Sequence, residues 1–153
     1  MKRSSELGSA PSPLVANGLA ELAFGVLTGW IYGATKATPE TMRSLGIQSP
    51  DRIRQWHLEL MMQGAYTVAC GLAVPKAPRP IATALAIGAW FSPSAFLPLA
   101  FKPELEARPA FRTAAVVANL ATSVGFVGVA VVAWRRRRLH QRELAFTSSS
   151  QPQ

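Results

Sequence analysis

Charged residues are scarce in this 153-residue chain, at 16%, well below the quarter that is usual for soluble domains. The single cysteine, Cys70, excludes both a disulfide-stapled fold and a zinc site built on cysteines. Only two histidines are present and one lies in a basic tail, which excludes a serine or cysteine catalytic triad. The sequence also lacks a glycine-rich phosphate loop, an HExxH motif and a GxSxG motif.

Hydrophobic residues make up 49% of the chain and are concentrated in four blocks of about 20 residues, the length of a bilayer-crossing helix. We predict an all-α integral membrane bundle of four transmembrane helices, over about 14–35, 50–74, 81–101 and 111–134. A water-soluble bundle is the alternative, but amphipathic helices carry a charged face and residues 81–101 and 113–134 carry no charge. The first block is too long and too polar for a cleaved signal peptide, so we predict a retained helix.

Positive charge predicts the orientation of this bundle. The N-terminal tail (1–13), the 75–80 loop and the basic C-terminal tail (135–153) carry nine Lys and Arg residues, against seven on the other side. The positive-inside rule therefore predicts a multi-pass protein of the cell membrane with both termini in the cytoplasm. Attraction to anionic membrane lipid explains the basic tail, so we expect no nucleic-acid partner. The tail is predicted to be disordered from about Ala145.

The longest connection lies between the first two blocks. Thr38-Pro39-Glu40 has the pattern of a helix start, which predicts a short interfacial helix that ends near Gly46. Ser49-Pro50-Asp51 repeats the pattern, so the second long helix is expected to begin near Pro50. His57 would then lie about 10 Å along that helix, near the membrane boundary.

Ionisable side chains at membrane depth indicate functional sites. In the first block Asn17, Glu21 and Thr28 fall on one helical stripe, and a lone buried carboxyl group such as that of Glu21 is expected to be protonated unless it is paired. The adjoining face carries four small residues that permit close helix approach, namely Gly18, Gly25, Gly29 and Gly33. A packing seam with a buried hydrogen bond is the alternative to a functional role for both features.

The other blocks carry further polar positions. In the second block Glu59, Gln63, Thr67 and Cys70 share a face, whereas His57 points about 120° away from Gln63. From the residues alone, His57 is an interfacial anchor, a hydrogen-bond partner, a proton shuttle or a metal ligand. The third block holds Trp90, Ser92 and two prolines, Pro93 and Pro98, which predict a kink. The fourth carries Asn119, Thr122 and Ser123 on one face, suited to hydrogen bonds across the bundle.

The stretch HLELMMQG, from His57 to Gly64, resembles the HLE-x-x-MNG signature of hydroxylaminobenzene mutase, a small four-span membrane enzyme related to styrene oxide isomerase. His57, Leu58, Glu59, Met62 and Gly64 match this pattern, and Gln63 stands where the family has asparagine. The length and the four predicted spans also fit. In the epoxide-isomerase branch a tyrosine is expected near the third-helix tryptophan, whereas Phe96 stands here.

The resemblance implies an isomerase or mutase that rearranges a small hydrophobic oxygen compound of the arylhydroxylamine or epoxide type. It implies a homo-oligomer, a trimer in the related branch, with haem b bound at subunit boundaries. His57 would be the iron ligand and Gln63 would orient the substrate oxygen, with Glu59 beside it. Ferric haem would act as a Lewis acid toward that oxygen.

Two further hypotheses compete with this one. A non-catalytic membrane assembly protein would use the glycine face for helix association. A small transporter or proton pathway would use Glu21 and Glu59, although the sequence shows no inverted repeat. The intramembrane candidates outside the resemblance are Asn17, Glu21 and Asn119.

Overall fold

The computed structural model describes residues 10–149, with side chains to residue 146, and the described chain is helical without strands. The helices are α1 (Pro13–Ala37), α2 (Pro39–Ser44), α3 (Pro50–Ala73), α4 (Arg79–Ser94), α5 (Phe96–Phe101), a 3-10 turn (Pro103–Ala107) and α6 (Pro109–Ser149). The predicted all-α class is confirmed. Residues 1–9 of the predicted N-terminal tail lie outside the described part.

The helix starts follow the local sequence signals. Ser12 caps α1 by accepting a hydrogen bond from the Val15 amide at 3.3 Å, and Pro13 opens the helix. The short helix predicted after Thr38 is α2, and it ends in a turn where Gly46 has a φ of 88°, a conformation that suits glycine. The Ile47 amide donates back to the Met42 carbonyl, and the amides of Gln48 and Ser49 donate to the Ala100 carbonyl, which connects this loop to α5.

The first layer is the pair of α1 and α3, which lie antiparallel along their full length. Val15 packs on Gly71 at one end, and Gly29 packs on His57 at the other. Between these ends, a Cβ on Gly18 would lie 2.8 Å from the Gly64 carbonyl oxygen, so the two backbones touch. The glycine face is therefore used inside one chain, and Gly33 alone among its four members has no neighbour within 4 Å.

The second layer is the antiparallel pair of α4 and α6. A Cβ on Gly88 would lie 2.3 Å from the Thr122 amide nitrogen, and one on Gly125 would lie 2.5 Å from the Leu85 Cα. The helix α3 also contacts α4, α5 and α6, so it is the central helix of the described chain. Its side chains Ile53, Trp56 and Leu60 are buried in the core.

The predicted kink in the third block is present, and it breaks the helix. The helix α4 ends at Ser94, and α5 begins at Phe96. Proline has no amide hydrogen, so Pro93 leaves the Ala89 carbonyl and Pro98 leaves the Ser94 carbonyl without the usual helical hydrogen bond. The Ala95 amide makes only a 3.4 Å bond to the Ser92 carbonyl at the break.

Three segments are long and apolar enough to cross a membrane: Pro13–Ala37, Arg79–Phe101 and Pro109–Phe146. The helix α3 is not among them, because it carries several charged and amide side chains. Large apolar side chains cover the outside of the three, as for Trp30 (80% exposed), Phe91 (64%) and Val127 (64%). An apolar exterior of this extent is typical of a membrane protein.

The last helix is longer than predicted. We expected it to end near Trp134 and the chain to become disordered from about Ala145, but α6 continues to Ser149. The physical reason is that no glycine or proline lies between Val129 and Ser149, and arginines are good helix formers. The arginines at 135–138 end the apolar part of α6, but they do not end the helix. The remaining tail, 150–153, lies outside the described residues.

Candidate functional site

His57 is held by the facing helix α1. Its Nδ1 lies 2.8 Å from the Gly25 carbonyl oxygen and 3.3 Å from Thr28 Oγ1. A carbonyl oxygen only accepts hydrogen bonds, so Nδ1 carries the proton and donates it to Gly25. In the neutral imidazole this contact assigns the tautomer, with the proton on Nδ1 and the lone pair on Nε2.

Two glycines and a threonine of α1 shape the place where this ring sits. A Cβ on Gly29 would lie 3.0 Å from the His57 Cε1, so the missing side chain makes room for the imidazole. Thr28 donates to the Gly25 carbonyl at 2.6 Å, which fixes the hydroxyl beside the ring. Tyr32 of the same helix stacks on the imidazole, with ring centroids 6.4 Å apart and planes 15° apart. The ring is therefore positioned by several residues of α1.

The Nε2 atom of His57 has no described hydrogen bond and is not among the buried polar atoms that lack a partner. His57 is half-buried, and the cavities described below are not lined by it. The free nitrogen is therefore partly accessible to solvent. An imidazole whose Nδ1–H binds a backbone carbonyl while Nε2 stays free is the usual arrangement of a metal-binding histidine.

Glu59 and Gln63 lie on another side of α3. They line a cavity of about 460 Å³ between α3, α5 and α6, together with Ser92 and Asn119. The Gln63 Oε1 is buried without a partner, whereas its Nε2 is not among the buried atoms. Phe96, Leu99 and Phe111 supply apolar walls. The cavity thus combines apolar surface with a few amide, hydroxyl and carboxylate groups, as small-molecule sites do.

The mouth of this cavity is charged. Arg52 forms an ion pair with Glu106 at 2.7 Å and an additional bond to Gln55 at 3.1 Å. Arg112 lines the same cavity from α6. These groups connect the start of α3 to the turn that precedes α6.

The polar stripe of α1 lies inside the bundle. Glu21 is fully buried, and neither of its carboxyl oxygens has a hydrogen-bond partner. Asn17 Oδ1 accepts from Trp90 Nε1 at 3.2 Å, whereas Asn17 Nδ2 has no partner. Thr67 of α3 is also fully buried with an unpaired hydroxyl. Asn17, Glu21 and Thr67 make no described contact with His57, whereas Thr28, the third member of the α1 stripe, lies beside its ring.

The polar face of α6 bonds mostly to its own helix. Thr122 donates to the Ala118 carbonyl at 3.0 Å, and Ser123 donates to the Asn119 carbonyl at 2.9 Å. Asn119 makes the one described bond across helices from this face, accepting from Ser92 at 3.0 Å. The predicted hydrogen bonding across the bundle thus involves Asn119 only.

Sequence reasoning missed the contact of His57 with Gly25 and Thr28. The sequence contains part of the information, because an antiparallel pairing of α1 and α3 brings the end of the α1 glycine face opposite His57. Predicting the contact also requires the register of α1 against α3, and the periodicity of a single helix does not provide that register.

Comparison of the chain with protein-family models, with curated proteins and with solved structures found no match.

The donor set can be tested against the haem that the resemblance implies. Residues 10–149 contain no group of three or more His, Cys, Asp and Glu side chains arranged to hold a metal ion. A haem iron needs only one or two protein ligands, and a fixed imidazole with a free, accessible Nε2 meets that requirement. The donor chemistry of His57 therefore fits an iron ligand, whereas none of the described cavities is lined by His57.

Proposed function

We propose that this protein is a membrane-embedded isomerase of the mutase type, which rearranges a small hydrophobic arylhydroxylamine- or epoxide-type compound with the help of haem. The observation that carries the proposal is the His57 imidazole, which the Gly25 carbonyl fixes through Nδ1 so that Nε2 is left free. The motif that contains it, HLELMMQG, supports the same conclusion.

The proposal includes a fourth crossing by α3. The helix α1 is apolar enough to span a bilayer, and α3 lies against it from Val15–Gly71 at one end to Gly29–His57 at the other. A bilayer that α1 crosses must therefore be crossed by α3 as well. Neighbouring helices shield α3, which explains why a helix with charged and amide side chains is tolerated there. The cell membrane, with both termini in the cytoplasm, follows from the positive-inside rule.

The cavity beside Gln63 is the proposed substrate site. Its apolar walls suit an aromatic ring, and a substrate reaches it from the lipid between α3 and α6. The Gln63 amide orients the substrate oxygen, and the Glu59 carboxylate accepts a proton there and returns it, so that the product keeps all atoms of the substrate. Bound at His57, ferric haem would supply Lewis-acid activation of the substrate oxygen.

Within one chain His57 and Gln63 open in different directions, so a single copy does not bring both to one substrate. We therefore propose a homo-oligomer in which His57 of one copy faces the Gln63 cavity of another. Coexpression of His57→Ala and Gln63→Ala chains tests this arrangement. Mixed oligomers are expected to regain activity that neither variant has alone, and no regain would contradict the shared site.

The visible absorption spectrum of the detergent-purified protein tests haem binding. We expect a Soret band in the wild type after haem is supplied, its loss in His57→Ala, and its retention in His140→Ala, which removes the other histidine from the basic tail. A wild-type spectrum without a Soret band would refute the haem proposal. Conversion of an arylhydroxylamine or an aryl epoxide by the haem-loaded protein tests the reaction class, with Gln63→Ala expected to abolish it and Gln63→Asn to retain it.

A further inference from the structure

A second cavity lies far from Gln63, at the end of the bundle where α1 begins, α3 ends and α4 begins. Its volume is about 470 Å³, and its walls are mostly apolar, with Leu14, Val74, Ala86 and Ile87 among them. Thr83 lies on its outer side, and Asn17 lines its inner end. Its lining includes residues of α1 and α4, two segments that are apolar enough to cross a membrane, so in a bilayer the cavity would lie beside the acyl chains.

Cations gather at the rim of this cavity. Arg79 lines it directly, and Lys76 lies in the loop that joins α3 to α4. Arg136 of α6 donates a hydrogen bond to the Lys76 carbonyl, which brings a third cation to the same loop. Acidic side chains are absent from the described lining and from the first turn of α4. Among the described lining residues the charge is therefore positive only.

The apolar walls and the cations at the rim together favour one class of ligand. A soluble anion would contact the cations but would leave the apolar cleft unfilled. A zwitterionic lipid would fill the cleft but has no net charge to attract it to the cations. A phospholipid with an anionic headgroup matches both parts, because its phosphate lies at the helix ends while an acyl chain lies along the helices.

We propose that this cleft, lined by α1 and α4 and rimmed by Lys76 and Arg79, is a binding site for one anionic phospholipid. The site uses neither His57 nor Gln63, so it stands independently of the proposed isomerase function. Bound lipid would fill the gap between α1 and α4 at the end where the bundle is least closed.

Native mass spectrometry of the full chain tests the proposal, with phosphatidylglycerol and phosphatidylcholine of identical acyl chains as probes. Phosphatidylglycerol is expected to be retained over phosphatidylcholine. Lys76→Gln and Arg79→Gln are each expected to weaken its retention about fivefold. Arg54→Gln, which removes an exposed cation from the opposite end of the bundle, serves as the matched control and is expected to have no effect. Equal retention of the two lipids, or an equal loss in Arg54→Gln, would overturn the proposal.

A second pair of variants tests the cleft itself. Thr83→Trp places an indole in the open side of the cavity while keeping every charge, and it is expected to reduce phosphatidylglycerol retention at least as much as Arg79→Gln does. Thr113→Trp makes the same change at an exposed position of α6 outside the described cavities, and it is expected to leave retention unchanged. Unaltered retention in Thr83→Trp would show that the lipid binds elsewhere.

Discussion

The two helix pairs of this protein both pack through glycines, but they differ in their polar contacts. In both pairs, α1 with α3 and α4 with α6, antiparallel helices approach through glycines until their backbones touch. In the second pair the hydroxyls of Thr122 and Ser123 bond to their own helix, and one described side-chain hydrogen bond, from Ser92 to Asn119, crosses the interface. In the first pair His57 bonds across the interface to Gly25, and Glu21 is buried without a partner.

The two helix pairs differ in the buried polar groups that they contain. Backbone contact between helices contributes packing without requiring any particular polar group. Buried polar groups that lack partners lower stability, and such groups concentrate at functional sites. All the described buried side-chain atoms that lack a partner belong to α1 or α3, so in the proposed function the α4–α6 pair is structural and the α1–α3 pair holds the candidate site.

The largest expected effect comes from closing the glycine contact of the structural pair. Gly88→Ala places a Cβ 2.3 Å from the Thr122 amide nitrogen, so the helices must separate. We expect a loss of about 3 kcal/mol or more in the free energy of unfolding, measured in detergent micelles. Gly33→Ala is the control, because nothing lies within 4 Å of its Cβ position, and it should have almost no effect. Equal stability of the two variants would contradict the close contact.

Removal of the unpaired carboxyl group should have the next largest effect, with the opposite sign. Glu21→Met replaces a fully buried group that has no hydrogen-bond partner by an apolar one of similar size. We expect the free energy of unfolding to rise by about 1–3 kcal/mol. Thr122→Val in the structural pair should change it far less, because that hydroxyl is already bonded. A fall in stability for Glu21→Met would mean that the carboxyl group has a partner.

A smaller effect separates the imidazole contact from ordinary threonine bonding. Thr28 and Thr35 both donate to a carbonyl of their own helix at 2.6 Å, but only Thr28 also approaches His57. We expect Thr28→Val to cost about 1 kcal/mol and to shift the nitrogen NMR signals of the His57 ring. Thr35→Val should leave those ring signals in place. Identical ring signals in both variants would show that Thr28 does not help to orient the imidazole.

The smallest expected effect lies in the bond between Ser92 and Asn119. Hydrogen bonds between helices in a membrane contribute about 0.6 kcal/mol on average, so Ser92→Ala should lower the free energy of unfolding by about that amount. Ser123→Ala removes a bond within one helix and should have less effect. A loss well above 1 kcal/mol in Ser92→Ala would mean that the structural pair also depends on polar contacts.

The features that could be predicted from the sequence are those encoded locally. Proline and cap residues gave the starts of α2 and α3, and Pro93 with Pro98 gave the break in the third block. The contact between His57 and Gly25 could not be predicted, because it depends on how two helices are aligned. The glycines of α1 indicated close helix approach, but their sequence cannot tell a partner in the same chain from one in another copy. The true end of α6 was missed because charge was taken as a stop signal.

The length of α6 makes it possible to determine on which side of the membrane the C-terminus lies. Forty-one residues of helix extend about 60 Å, roughly twice the hydrocarbon thickness of a bilayer. If α6 crosses with its apolar part in lipid, the segment that follows Trp134 stands in water with five arginines, at 135–138 and 142. With the C-terminus in the cytoplasm, as proposed, trypsin added outside sealed right-side-out vesicles would spare these bonds, and it would cut them in inverted vesicles. A single helix thus reports which compartment receives the C-terminus.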